Sequence, residues 1–242
     1  MNPLSFIYRT LLLRPLFNLL VILYAVLPIH DLGLAIVCFA FLMRVIQFPL
    51  LWKTKKSQLD LARIQPQLEE IKGRYRDNKE AQAKAVMELY RNERVNPFSG
   101  CLMLPLQLAI AFAIFDVFRK GFDLARIASL QYPFLSLLNG LQVHPYGFGL
   151  VDLSLPFPIF GALAALAQFF ETQIVSRNQP QPKDDFSKAL TWQTKYFVPI
   201  LIFSISFQLP SALPLYWTLI NIFGMLQELF MRYFARMRTA SI

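Results

Sequence analysis

Cysteine and histidine are scarce, with two of each in 242 residues. Cys38 and Cys101 fall in or beside apolar runs, where a free thiol behaves as a small hydrophobe, and His30 and His144 fall in expected loops. There is no HExxH or CxxC pattern and no clustered set of carboxylates, so no metal site is expected. A GxxxxGKS/T phosphate loop is missing as well, which removes nucleotide hydrolysis as an energy source. No cofactor is expected. An intramembrane hydrolase would need a nucleophile and a base within the apolar runs, and neither histidine is placed for that. The internal repeat of broken helices that marks many secondary transporters is also absent.

Apolar residues are abundant instead. They make up 55% of the chain, the mean hydropathy is +0.42, and several blocks approach the roughly 20 residues that a spanning helix needs. Such a chain is an integral membrane protein. The net charge of +9 could indicate nucleic acid, but the basic residues are concentrated in segments between and after the apolar runs, as membrane topology requires.

The pattern predicts an all-α fold with five transmembrane helices, an N-terminal interfacial helix and a cytoplasmic helical hairpin. Residues 1–31 form the N-terminal part, in which Leu11–Pro28 is read as an amphipathic helix with Arg9, Arg14 and Asn18 facing the headgroups. The same stretch is also long enough to span. The first expected span is 32–51, bent near its end by Pro49. Residues 52–96 carry eleven Lys or Arg and seven Asp or Glu, and read as a hairpin of helices 57–76 and 79–94. Its apolar stripes are Ile64, Leu68, Ile71 and Tyr75 on one arm and Ala83, Met87 and Tyr90 on the other, with Asp77-Asn78 as turn and N-cap and Pro66 breaking or kinking the first arm. Residues 97–242 supply the other spans, at about 98–118, 157–174, 196–208 and 213–230; the one at 196–208 is short unless its helix begins in the preceding polar segment. The last two are joined only by Leu209-Pro210-Ser211-Ala212, so they are expected to pair antiparallel. Segments 52–96, 177–195 and 231–242 hold 18 basic residues, against 5 in the opposite set of loops. The positive-inside rule therefore places the C-terminus in the cytoplasm and the N-terminus outside.

Within the first span Arg44 is the only charged residue, roughly 10 Å from the cytoplasmic end at 1.5 Å per residue. A permanent cation near a bilayer centre costs about 2.5–3.5 kcal/mol on the gentlest scale. Three arrangements would relieve it: snorkelling to the headgroups, an ion pair with Glu171 or Glu228, or a water-filled cavity open to the cytoplasm. Other spans contribute Gln47, Gln107, Gln168, Thr172, Ser206, Gln208, Thr218, Asn221 and Gln227. Singly each is a helix-to-helix hydrogen bond worth about 0.6 kcal/mol; together with an unpaired Arg44 they fit a hydrophilic groove that suits an anionic visitor. An insertase, an anion transporter and an accessory subunit of a secretion complex all remain compatible with that much.

Arg44 with Phe48-Pro49-Leu50 and Lys55-Lys56-Ser57 resembles the first span of the YidC/Oxa1/Alb3 membrane protein insertases. The similarity continues through Gln65-Pro66, Ile71, Tyr75, Leu89-Tyr90, the run Val95-Asn96-Pro97-Phe98-Ser99-Gly100-Cys101-Leu102, Gln107, Asp152-Leu153-Ser154 and Leu215-Tyr216-Trp217. The resemblance implies a five-helix core around a groove open to cytoplasm and lipid, in a bacterial cytoplasmic membrane. Arg44 would attract the polar or acidic tail of a nascent protein, and Gln168 and Trp217 would line the groove with Gln47, Gln107, Thr172 and Asn221. The implied partners are nascent membrane proteins and the lipid bilayer, with the Sec translocon and the ribosome as further ones. Met103 and Ala109 stand where relatives commonly have proline, and the basic tail with Arg232, Arg236 and Arg238 is shorter than the ribosome-binding tails of some relatives.

Overall fold

The computed structural model describes residues 3–95, 103–120, 130–133, 135, 143–177 and 185–240. The Asn96–Leu102 motif lies outside them. The chain divides into two units, one made of residues 1–46, 109–177 and 182–242, the other of 47–108 and 178–181. In chain order the helices are α1 (Pro3–Tyr8), α2 (Arg14–Val26), α3 (Leu32–Arg74), α4 (Lys79–Asn92), α5 (Met103–Lys120), α6 (Pro158–Ser176), α7 (Asp185–Trp192), α8 (Val198–Ser206) and α9 (Ala212–Ala240). Single wide π turns, Arg9–Leu13 and Gln193–Phe197, join α1 to α2 and α7 to α8. Two two-residue strands, Tyr146–Gly147 (β1) and Val151–Asp152 (β2), pair antiparallel with Tyr146 opposite Asp152.

In the first unit, Phe39 of α3, Phe118 of α5 and Tyr216 of α9 form a buried aromatic triangle with ring centroids 5.9–6.3 Å apart. α2 adds Phe17, Leu20, Val21 and Tyr24 to the same core. α6 packs along both α8 and α9. The small residues Gly161, Ala164 and Ala167 are its buried face, while Ile159, Leu163, Leu166 and Phe170 point outward. Small residues let helix backbones approach where lipid, as apolar as leucine, supplies no hydrophobic drive between helices. Among the described residues, three helical stretches are long and apolar enough to cross a membrane: Ser5–Val26, α3 and α6.

One end of this unit is held by a loop. The Asp31 carboxylate accepts hydrogen bonds from the backbone of Leu34 (2.8 Å), as the N-cap of α3, and of Gly149 (3.0 Å), at the tip of the β-hairpin. At the start of α9 the Ser211 and Ala212 amides donate to the carbonyls of Leu155 and Leu153, both 3.0 Å. The unpaired N–H groups of that helix end are thereby met by a loop rather than by a side-chain cap. Gly33 and Gly147 touch so closely that a Cβ on either would meet the other's Cα at 3.0–3.1 Å.

Three expectations change. Arg14 and Asn18 turn inward rather than toward headgroups: Arg14 donates to the carbonyls of Leu130 and Gln131, both 3.2 Å, and its guanidinium lies 5.0 Å from the Tyr132 ring centroid. Buried Asn18 donates to Leu130 (3.0 Å) and accepts from the Tyr132 amide (2.9 Å). The reason is that the fold brings the Leu130 and Gln131 carbonyls and the Tyr132 amide to these side chains, a pairing that no sequence pattern advertises. Second, the first span and the first hairpin arm are one helix, since α3 continues through both Pro49 and Pro66. Each proline removes one hydrogen bond and neither ends the helix. Third, in the second unit Ile64, Leu68 and Val95 pack with Leu61, Val86, Leu89 and Tyr90, while Met87 is exposed. The α4 face is thus turned by one residue from the expected stripe. Asn78 does cap α4, its side chain accepting from the Ala81 amide at 3.0 Å. The helix of the fourth expected span does draw on the polar segment before it, the alternative its short length left open, and starts at Asp185.

Candidate functional site

Arg44 sits on α3 of the first unit, and its side chain is 15% exposed. Its Nη2 donates to Oε1 of Glu171 on α6, which is 17% exposed, so the arginine is paired rather than alone. Of the three ways to relieve a membrane cation, the fold uses the ion pair. The contact is end-on: Arg44 Nε is buried and makes no hydrogen bond among the described residues. The guanidinium therefore uses part of its fork and leaves part unmet.

The third wall is α9. Gly224 presents bare backbone to the pair, and a Cβ there would overlap both Arg44 Nη2 and Glu171 Oε1. Trp217, Asn221, Gly224 and Glu228 recur at helical spacing and share one stripe of α9. Asn221 and Glu228 are buried, Trp217 half-buried against the core. Glu228 lies near enough to Glu171 for the two carboxylates to repel, and it accepts a hydrogen bond from Arg232 Nε at 2.9 Å. Arg232 Nη2 in turn donates to the Ile174 carbonyl of α6. The sequence of charges across α3, α6 and α9 is plus, minus, minus, plus. It holds the three helices together and leaves the site formally neutral rather than positive.

The remaining candidate residues are placed as follows. Gln168 and Thr172 lie on α6 beside Glu171 and bond each other, Nε2 to Oγ1 at 3.2 Å, and Thr172 also donates to the Gln168 carbonyl at 2.9 Å. Gln47 belongs to the second unit, is buried, and its Nε2 has no partner among the described residues. Gln107 lies in α5, also in the second unit; its side chain is outside the described residues. Thr218 spends its hydroxyl on the Pro214 carbonyl at 2.9 Å. Gly224 was absent from the candidates. The available signal was a glycine inside an apolar helix, three residues after a polar Asn221, which marks a close approach.

This placement of a cation within an apolar helix can be compared with known proteins. Residues 22–238 match the model of the 60Kd inner membrane protein family. The chain belongs to that family. Among curated members, the "Membrane protein insertase YidC" of Prosthecochloris aestuarii is 30% identical over 212 residues, which cover 84% of this chain and 35% of that protein. The protein of the same name from Fusobacterium nucleatum is 30% identical over 202 residues, covering 84% of this chain and 86% of its own length. A third, from Pelobacter propionicus, is 30% identical over 223 residues, 91% of this chain and 38% of that protein. The chain thus spans about a third of the length of the first two of the larger relatives and most of the compact one. Membership of the 60Kd inner membrane protein family, together with the three apolar helices, makes this a multi-pass inner membrane protein.

Proposed function

We propose that this protein is a membrane protein insertase. It accepts nascent membrane proteins from the cytoplasm, carries short tails across through a hydrophilic groove and releases the apolar segment into lipid without hydrolysing nucleotide. The observation that supports this reading is Arg44: a family whose matched relatives are named insertases here keeps a permanent cation inside an apolar helix, beside the polar stripe of Trp217, Asn221 and Gly224. In this reading Arg44, Gln168, Thr172, Trp217 and Asn221 of the first unit line the groove. The N-terminus is outside, the C-terminus and the 52–96 hairpin are cytoplasmic, and the Sec translocon and the ribosome are the further partners. Transfer of the client's own apolar segment into lipid drives the step.

The test is insertion of a single-span client with a short acidic tail into proteoliposomes that contain only this protein, read as protection of the tail from protease. Arg44→Lys should retain insertion and Arg44→Ala should lose it. Because alanine alone strands Glu171 as an uncompensated charge, at about 3–5 kcal/mol, Arg44→Ala/Glu171→Gln is measured beside it. Insertion no better than in empty liposomes overturns the reading. Equal insertion by wild type and the double variant overturns only the role given to Arg44.

A further inference from the structure

We propose that Glu171 is a built-in competitor for Arg44, and that exchange of its carboxylate for one on the client tail sets how acidic a tail must be to enter. The inference rests on the insertase reading and adds a specificity-determining residue to it. Glu171 is the one acidic side chain joined to Arg44 among the described residues. It holds the guanidinium by a single Nη2 contact and leaves the buried Nε without a partner. A tail carboxylate that approaches side-on can bond Nε and Nη2 together, the bidentate geometry in which arginine binds carboxylates best. The incoming group therefore offers two hydrogen bonds where the resident offers one.

The surroundings keep Glu171 from holding more firmly. Glu228 repels it, and the neighbouring cation Arg232 is already engaged by Glu228 and by the Ile174 carbonyl. Gly224 brings bare backbone against the pair, which leaves room for the pair's own atoms and supplies no side chain from that position to brace it. Both partners retain some exposure, 15% and 17%, which leaves a path by which one carboxylate can replace another. A neutral tail offers nothing in exchange and leaves the pair intact.

The experiment uses the full chain in proteoliposomes with one single-span client whose tail carries no, two or four aspartates. Removing the competitor with Glu171→Gln should raise insertion of acidic tails relative to the neutral tail, at limiting protein, by roughly tenfold, the size of one charge-assisted hydrogen bond. Glu171→Asp, which shortens the reach while keeping the charge, should shift the same way by less. The swap Arg44→Glu/Glu171→Arg keeps an ion pair but moves the cation to α6, and should not restore the wild-type dependence on tail charge. Equal loss for all three tails in Glu171→Gln, with recovery by the swap, would make the pair a structural clamp and overturn the inference while insertion stands. If Glu171→Gln does not fold, an unchanged tail preference in Glu171→Asp overturns it equally. Wild-type liposomes inert toward every client would overturn both this inference and the reading beneath it.

Discussion

Removing the Asp31 carboxylate should loosen two distant segments at once. One of its oxygens caps α3 through the Leu34 amide, the other holds the hairpin tip through the Gly149 amide, and the Gly33 and Phe148 amides add to the set. The tip needs holding, since Phe148 and Gly149 both have positive φ, +56° and +66°, a region that a phenylalanine enters only at a cost. Loss of an N-cap costs about 1 kcal/mol. A second bond to an ionised group at a partly exposed site adds about another 1 kcal/mol. Asp31→Ala should therefore lower the local opening free energy by roughly 2 kcal/mol and speed amide exchange about 30-fold in peptides covering 31–37 and 146–152. Asp31→Asn keeps one acceptor oxygen and should fall between. The charge makes a separate prediction. Partial burial alone would raise the carboxyl's pKa, but the amides of Phe148, Leu34, Gly149 and Gly33 outweigh it and hold it below the ordinary value. A folded pKa below the unfolded one contributes stability that is complete above about pH 4 and fades as pH falls through the lower folded value. Protection of both segments should drop there in the wild type and not in Asp31→Asn. Exchange in Asp31→Ala within about threefold of wild type at both segments would refute the reasoning.

Two further substitutions separate the parts of the fold. Asn18→Ala removes the two hydrogen bonds by which its side chain joins α2 to Leu130 and Tyr132, so thermal stability in detergent should fall by roughly 1–3 kcal/mol, at about 0.5–1.5 kcal/mol per net hydrogen bond; a change under about 0.5 kcal/mol would show that the two segments do not depend on this contact. Ile64→Ala empties the centre of the small core that α3 and α4 share and should destabilise it by about 2–5 kcal/mol. Limited proteolysis should then cut within 61–95 while the buried positions of the first unit keep their protection; simultaneous loss of both would contradict the division of the chain into units.

Local chemistry was legible in the sequence, and long-range partnership was not. Asn78 as a cap follows from residue type and position, and the short link before α9 follows from a proline between two apolar runs. Arg14 and Asn18 misled because headgroups and buried backbone carbonyls satisfy the same donors, and only the fold brings residues 130–132 to them. Pro49 promised a bend and Pro66 a break or a kink; a proline removes only one bond of a long ladder, and α3 has enough turns on either side to carry through both. At the site, Arg44 announced itself by its cost, and Glu171 and Glu228 were the named acidic partners. What sequence spacing could not choose was between pairing and solvation, because that depends on the backbone of Gly224 reaching the pair.

The order of charges across the site also bears on the membrane potential. Moving one elementary charge through the full potential involves about 2.3 kcal/mol per 100 mV. Arg44, Glu171, Glu228 and Arg232, with both carboxylates ionised, sum to zero. A rigid shift of all three helices, α3, α6 and α9, with these side chains in place therefore does almost no electrical work, whatever its distance. Separation is different: once Glu171 lets go, the guanidinium and the carboxylate move in opposite senses in the same field. The resting site is electrically silent, and only its opening can feel the voltage.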